Sequence, residues 1–232
     1  MIKITFNELY SMEYPKNTTV KEISETFQKH YNYPILLAKL DNDLVELSEK
    51  VIKDCRIDFF DRSSMCGNSI YERSLQFILI LAVKRVLGND SDVIIEHSID
   101  KGFYCEIINA DLDKPTLKKI EKEMMNIVSS DLHFTKVNVD RLDAIKFFEK
   151  KKQMDKVNVL KYISNTFINL YRLDDLYDYF YGPMAYSTKD IDDFKLTFEN
   201  GSKYFEDYVK TEIVLYDDNY DDGLELVKRE DK

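Results

Sequence analysis

The sequence predicts an α+β chain: a small roll in which one helix crosses a mixed sheet, then a larger unit that alternates helices and strands. Three observations carry this. Ile2, Ile4 and Phe6 alternate with polar residues, the period of a half-buried strand. Thr19 stands before Val20 with Glu22 three residues on, a capping box that starts a helix burying Val20, Ile23 and Phe27. Farther along, Leu117, Ile120, Met124 and Ile127 recur at helical spacing between strand-like runs. With 232 residues, 44% of them hydrophobic, the chain has material for two cores.

The elements follow in order. A second strand is expected near Ser11 to Tyr14, then strands Ile35 to Leu40 and Leu44 to Leu47 around the turn Asp41-Asn42-Asp43. Ile57 to Phe60 closes the roll, giving a first domain over residues 1–61. The polar stretch 62–70, with Ser63, Ser64, Gly67 and Asn68, reads as a linker. A long helix is expected from Tyr71 to Leu87, stopped by Gly88. Val93 to Ile95 and Phe103 to Ile107 read as paired strands, and Pro115 opens the next helix. A strand Phe134 to Val139, helices at 144–151 and 155–162, and strands Phe167 to Tyr171 and Tyr177 to Tyr181 follow. Phe194 to Phe198 and Tyr204 to Tyr208 form a hairpin around Asn200-Gly201, which ends a second domain over 71–210. Residues 211–232 read as an acidic tail.

Composition narrows the function classes. The net charge of −10 opposes strong non-specific binding of nucleic acid, which rests on Lys and Arg neutralising phosphates. Three cysteines, Cys55, Cys66 and Cys105, lack CxxC spacing and fit a reducing, cytoplasmic setting. The apolar run Phe77 to Val83 is far short of the roughly 20 residues of a membrane span, so no membrane partner is expected.

The segment Asp178-Tyr179-Phe180-Tyr181-Gly182-Pro183-Met184-Ala185-Tyr186-Ser187-Thr188 resembles a strand and turn of the threonyl-tRNA synthetase editing domain, Asp-x-Cys-x-Gly-Pro-His-x-x-Ser-Thr. Further pieces resemble that second additional domain: Ala82 to Gly88, Gly102-Phe103-Tyr104, Leu117 to Met124, Ala144 to Phe148 and Lys156-Val157. Met1 to Thr5, Asn17 to Ile23 and Leu44 to Ser48 resemble a TGS domain, a ubiquitin-like β-grasp. The implied fold is a TGS β-grasp domain followed by an α+β editing-type domain. In the synthetase that domain hydrolyses serine wrongly attached to threonine tRNA, at a zinc site built from a His-x-x-x-His pair on the long helix plus the Cys and His of the turn.

In this chain the resemblance places those four ligands at Arg73, Phe77, Phe180 and Met184. A guanidinium and a phenyl ring offer zinc nothing, and a thioether is a poor ligand, so no cofactor is expected. The polar site residues Tyr104, Lys156 and Asp178 keep their matching positions and, with Arg73, line the expected ligand pocket. Arg73 has two roles open to it: a pair with Asp178 that holds the pocket, or a grip on a ligand carboxylate or phosphate. Phe77, Phe180 and Met184 should fill the former metal cavity.

Tyr33-Pro34-Ile35, Glu96-His97-Ser98 and Tyr179 to Met184 also resemble the front of bacterial uridine kinase-like (nucleoside kinase) proteins, where the editing ligands are replaced too. That resemblance implies a non-catalytic binding or regulatory module. Its partner would be a kinase domain of the same parent protein, which would bring ATP and magnesium. No GxxxxGK[ST] occurs in the chain itself. A nucleotide, a small metabolite or RNA is the ligand class, and an oligomer is an open option. The alternatives are a metal-free editing hydrolase of aminoacyl-tRNA or a related ester, and a structural or dimerising module. Two lesser candidates complete the list: a polar cluster of His97, Cys105 and Glu106 as a new metal site, against the plainer reading of a strand histidine and a buried thiol, and Tyr177, Tyr179 and Tyr181 as a stacking face for RNA, against a face covered by a helix.

Overall fold

A computed structural model describes residues 1–6, 10–99, 102–110, 112–198 and 211–217, and for 96–99, 198 and 211–217 it describes the backbone. The chain divides into two compact units, Met1–Leu81 with Met124–Ile191, and Ala82–Glu123 with Asp192–Lys232. The expected α+β class is what the elements form.

The first unit opens with strands β1 (Ile2–Phe6) and β2 (Tyr10–Tyr14), helix α1 (Val20–Phe27), and strands β3 (Ile35–Leu40), β4 (Asp43–Val45) and β5 (Cys55–Asp61). They make a mixed sheet ordered β2-β1-β5-β3-β4, in which β1 and β5 run parallel. The capping box is present: Thr19 N donates to Glu22 Oε2 at 2.7 Å, and Glu22 N donates to Thr19 Oγ1 at 3.2 Å. Val20, Ile23 and Phe27 of α1 bury with Ile2, Ile4, Phe6, Ile57 and Phe59 in one core. Strand β5 alternates buried and half-buried along its whole length, as a sheet with one covered face requires.

Helix α2 (Met65–Leu87) starts six residues earlier than Tyr71. The stretch expected as a linker is therefore helical from Met65. Ser64 supplies the reason: its Oγ accepts from Gly67 N at 3.2 Å, and its carbonyl accepts from Asn68 N at 2.8 Å. Gly67 is a packing residue, because a Cβ there would stand 1.9 Å from the Asp61 carbonyl oxygen.

The unit resumes with the end of α3 (Lys114–Ser129), strand β8 (Thr135–Asp140), helices α4 (Arg141–Lys150) and α5 (Met154–Tyr162), and strands β9 (Phe167–Leu173) and β10 (Leu176–Asp178). Strands β8, β9 and β10 form an antiparallel sheet with β9 central. Ala144, Ile145 and Phe148 of α4 and Val157 and Leu160 of α5 pack on Ile168 and Leu170 of β9. Strand β10 ends at Asp178, three residues short of Tyr181.

The second unit is a four-stranded antiparallel sheet, β11-β12-β7-β6, built from β6 (Asp92–Ile99), β7 (Gly102–Ile108), β11 (Phe194–Phe198) and β12 (Thr211–Asp217). Lys84, near the end of α2, donates to the Ser91 carbonyl at 2.8 Å and lies 3.6 Å from Asp92. The Thr211–Asp217 stretch, expected to begin an acidic tail, is a strand between β11 and β7. Its Ile-Val-Leu run supplies the sheet, and acidic neighbours hid it. The expected turn at Asn200-Gly201 and strand Tyr204 to Tyr208 lie outside the described residues, as do 218–232. Among the described residues no helix is long and apolar enough to cross a membrane.

Candidate functional site

The site residues of the first unit come from α2, α5, β9, β10 and the turn after β10. Helix α2 carries an almost fully apolar stretch from Leu75 to Val83, buried throughout apart from Gln76. That stretch is buried on nearly every face, and Arg73 and Phe77, four residues apart, share one side of the helix. Phe77 is fully buried, with its ring centroid 5.0 Å from that of Phe180 and 6.1 Å from that of Phe134. Met184 is buried as well. The apolar side chains at three of the four positions where zinc ligands were expected are thus packed, two of them ring against ring.

These residues do not fit zinc. Among the described residues no group of three or more His, Cys, Asp or Glu is placed to hold a metal. Phe180→Cys with Met184→His supplies only two of four ligands, and Phe77 keeps its volume against position 180. Metal analysis of that double variant after gel filtration should find well below one zinc per chain; a stoichiometric ion would refute this account of the cavity.

Lys156 and Asp178 are brought together. The Lys156 Nζ lies 2.7 Å from each carboxylate oxygen of Asp178, whose side chain is 2% exposed against 17% for the lysine. Asp178 Oδ1 also accepts from Tyr179 N at 2.6 Å. The lysine stands 5.6 Å over the Phe148 ring, which orders its alkyl stem. The carboxylate is therefore sequestered, and the ammonium is the accessible end of the pair.

Arg73 does not pair with Asp178. Its Nη1 donates to the Pro183 carbonyl, and its guanidinium lies against Gly182, where a Cβ would be 3.0 Å from Cζ. Gly182 has φ +116, so glycine is needed there on both counts. Burial pulls the Arg73 pKa below the usual guanidinium value, opposed by the electrostatic influence of Tyr171, Glu72 and Glu46.

Two residues that sequence reasoning missed hold the turn. Ser74 Oγ, fully buried, accepts from Ala185 N at 2.9 Å. Glu46, in the loop after β4, accepts from Met184 N at 3.1 Å and from the Tyr171 hydroxyl, and its other oxygen lies 2.5 Å from Lys136 Nζ. Burial, reinforced by the Glu46 carboxylate, pushes the Tyr171 phenol well above its usual range. Leu44-Val45-Glu46-Leu47-Ser48 was legible as part of the roll, but nothing local marks Glu46 as reaching residues 125 and 138 positions away.

The other candidates separate. Tyr104 is half-buried on β7 in the second unit, opposite Val214 and His97 in register. Cys105 and Glu106 are buried beside it, and burial pushes the Cys105 thiol up to about 12, the behaviour of an inert core thiol. His97 belongs to β6, its side chain outside the described residues. Of the three tyrosines, Tyr177 packs edge-on against Phe147 of α4, Tyr179 joins the α4–α5 core, and Tyr181 is 89% exposed. They do not form one stacking face, because the strand alternation stops at Asp178.

Comparison with known proteins places most of the chain beside one kind of enzyme. It is 30% identical over 201 residues to the threonine–tRNA ligase of Acetivibrio thermocellus, a match covering 84% of this chain and 31% of the relative. It is 30% identical over 198 residues to that of Carboxydothermus hydrogenoformans, with the same coverage of each, and 29% identical over 203 residues to threonine–tRNA ligase 2 of Bacillus subtilis, covering 87% and 32%. The chain spans about a third of the length of the curated relatives it matches. No family model matches it. The chain is thus threonyl-tRNA synthetase-like over most of its length.

Proposed function

We propose that this chain is an editing-type module, a TGS β-grasp followed by an editing-domain fold, that takes an aminoacyl-tRNA end or a related ester and hydrolyses it without a metal. The observation that carries the reading is the buried Lys156–Asp178 pair, kept where every position expected to hold zinc has changed. Similarity to threonine–tRNA ligases over 84% of the chain supports the editing reading over that of a kinase-associated regulatory module.

In this mechanism water adds to the ester carbonyl, the bond from carbonyl carbon to ribose oxygen breaks, and a carboxylic acid and a free hydroxyl leave. The Lys156 ammonium donates to the carbonyl oxygen as charge develops on it. Asp178 orients the ammonium and balances its charge. Lys156 is the catalytic residue of this scheme, and Asp178 is a positioning residue.

A second reading, binding without turnover, is favoured by the packing of Phe77 against Phe180, two positions where the editing resemblance puts zinc ligands. Hydrolysis of seryl-tRNA by the full chain separates the two. Turnover that Lys156→Ala lowers at least about tenfold supports the hydrolase. Saturable binding of the same tRNA with no turnover supports the binding module. Neither binding nor turnover refutes both.

A further inference from the structure

We propose that Arg73 forms an oxyanion site, for a carboxylate or a phosphate group, at the position where the editing resemblance places a metal ligand. The proposal deepens the editing reading and rests on it for the place of the pocket. The anion chemistry rests on Arg73 itself.

A guanidinium carries five N–H donors in a flat fork. At Arg73 one of them is used within the protein, by Nη1 on the Pro183 carbonyl. Nε and Nη2 form the edge suited to a bidentate carboxylate or phosphate, and that edge has no protein acceptor among the described residues. The obvious acids are committed elsewhere. Asp178 is held by Lys156, Glu46 by Lys136, Tyr171 and Met184 N, and Glu72 accepts from Asn68 Nδ2 at 2.8 Å. Arg73 is half-buried and has no carboxylate in ion-pair contact among the described residues.

The group is also pre-oriented. The Pro183 carbonyl anchors one end of the fork, and the absence of a side chain at Gly182 leaves room for the guanidinium, since a Cβ there would stand 3.0 Å from Cζ. Pro183 is itself fixed, since the next two amides are held by Glu46 and Ser74. A fork held this way loses little freedom on binding, so a single oxyanion suffices as ligand. An ester substrate provides two sources of such a group: the carboxylate released by hydrolysis, and the phosphate of the nucleotide that bears the ester. A free ammonium, by contrast, is repelled here.

The test is a titration of the full chain, labelled for detection of arginine Nε–H signals by NMR. Sodium phosphate, sodium acetate and sodium chloride are added at matched ionic strength. One Nε–H signal, missing from Arg73→Lys, should move saturably, with half-saturation on the order of millimolar for a single ion pair of this kind. Movement with phosphate alone assigns the site to phosphate, with acetate alone to carboxylate, and with both to either group. Arg73→Lys keeps the charge but not the fork and should weaken binding at least about tenfold. If that variant does not fold, the wild-type titration alone decides, because no saturable movement of any arginine Nε–H beyond the chloride control overturns the proposal. Anion binding without ester hydrolysis would leave this site standing and refute the hydrolase reading alone.

Discussion

Phe77→Ala should lower the unfolding free energy by about 3–5 kcal/mol, the range for truncating a fully buried phenyl ring. Phe77 has no solvent exposure, and it contacts Phe180 and Phe134 ring to ring. Removing it takes away both aromatic contacts and opens a void between α2 and the turn after β10. The chain lacks Trp, so urea unfolding is best followed by far-UV circular dichroism. Phe77→Leu keeps most of the volume and should cost less than half as much. A Phe77→Ala loss below about 1 kcal/mol would mean that these rings do not fill the position, and the account of the cavity would fail.

Asp178→Ala is the second large effect, expected at about 3–5 kcal/mol, because it strands a mostly buried ammonium. The Lys156 side chain is 17% exposed, and its partner carboxylate contacts it through both oxygens. The Tyr179 amide loses its acceptor in the same step. The discriminating variant is the double change Lys156→Met with Asp178→Leu. Replacing both charges by apolar groups of similar size removes the stranded charge, so the double variant should be more stable than Asp178→Ala alone. If it is less stable, the pair contributes net stability, and the single-variant loss measures the pair itself.

What was legible in the sequence and what was not divides by range. The capping box at Thr19 and Glu22 and the alternation of Ile2, Ile4 and Phe6 are local, and both appear where they were read. The start of α2 was also local but was masked by chemistry: Ser64 caps a helix whose third residue is Gly67, so the usual Glu is missing and the glycine suggests a loop. Strand β12 depends on partners more than a hundred residues away in β7, and an acidic neighbourhood concealed it. Strand β10 stops early because Asp178 captures the Tyr179 amide with its own carboxylate, a side-chain competition with the ladder that alternation does not reveal. At the site, the residue types named the players, but pairing was decided by distance. Lys156 took Asp178, and Arg73 was left with a carbonyl.

Glu46 gives the amino-terminal roll a share in the downstream pocket. A chain begun at residue 62 would lose the single carboxylate that receives the Met184 amide and the Tyr171 hydroxyl and sits against Lys136. Recombination that swaps the roll for another of the same shape succeeds only where the newcomer brings an acid to that loop. The two segments are therefore expected to travel as one inherited piece.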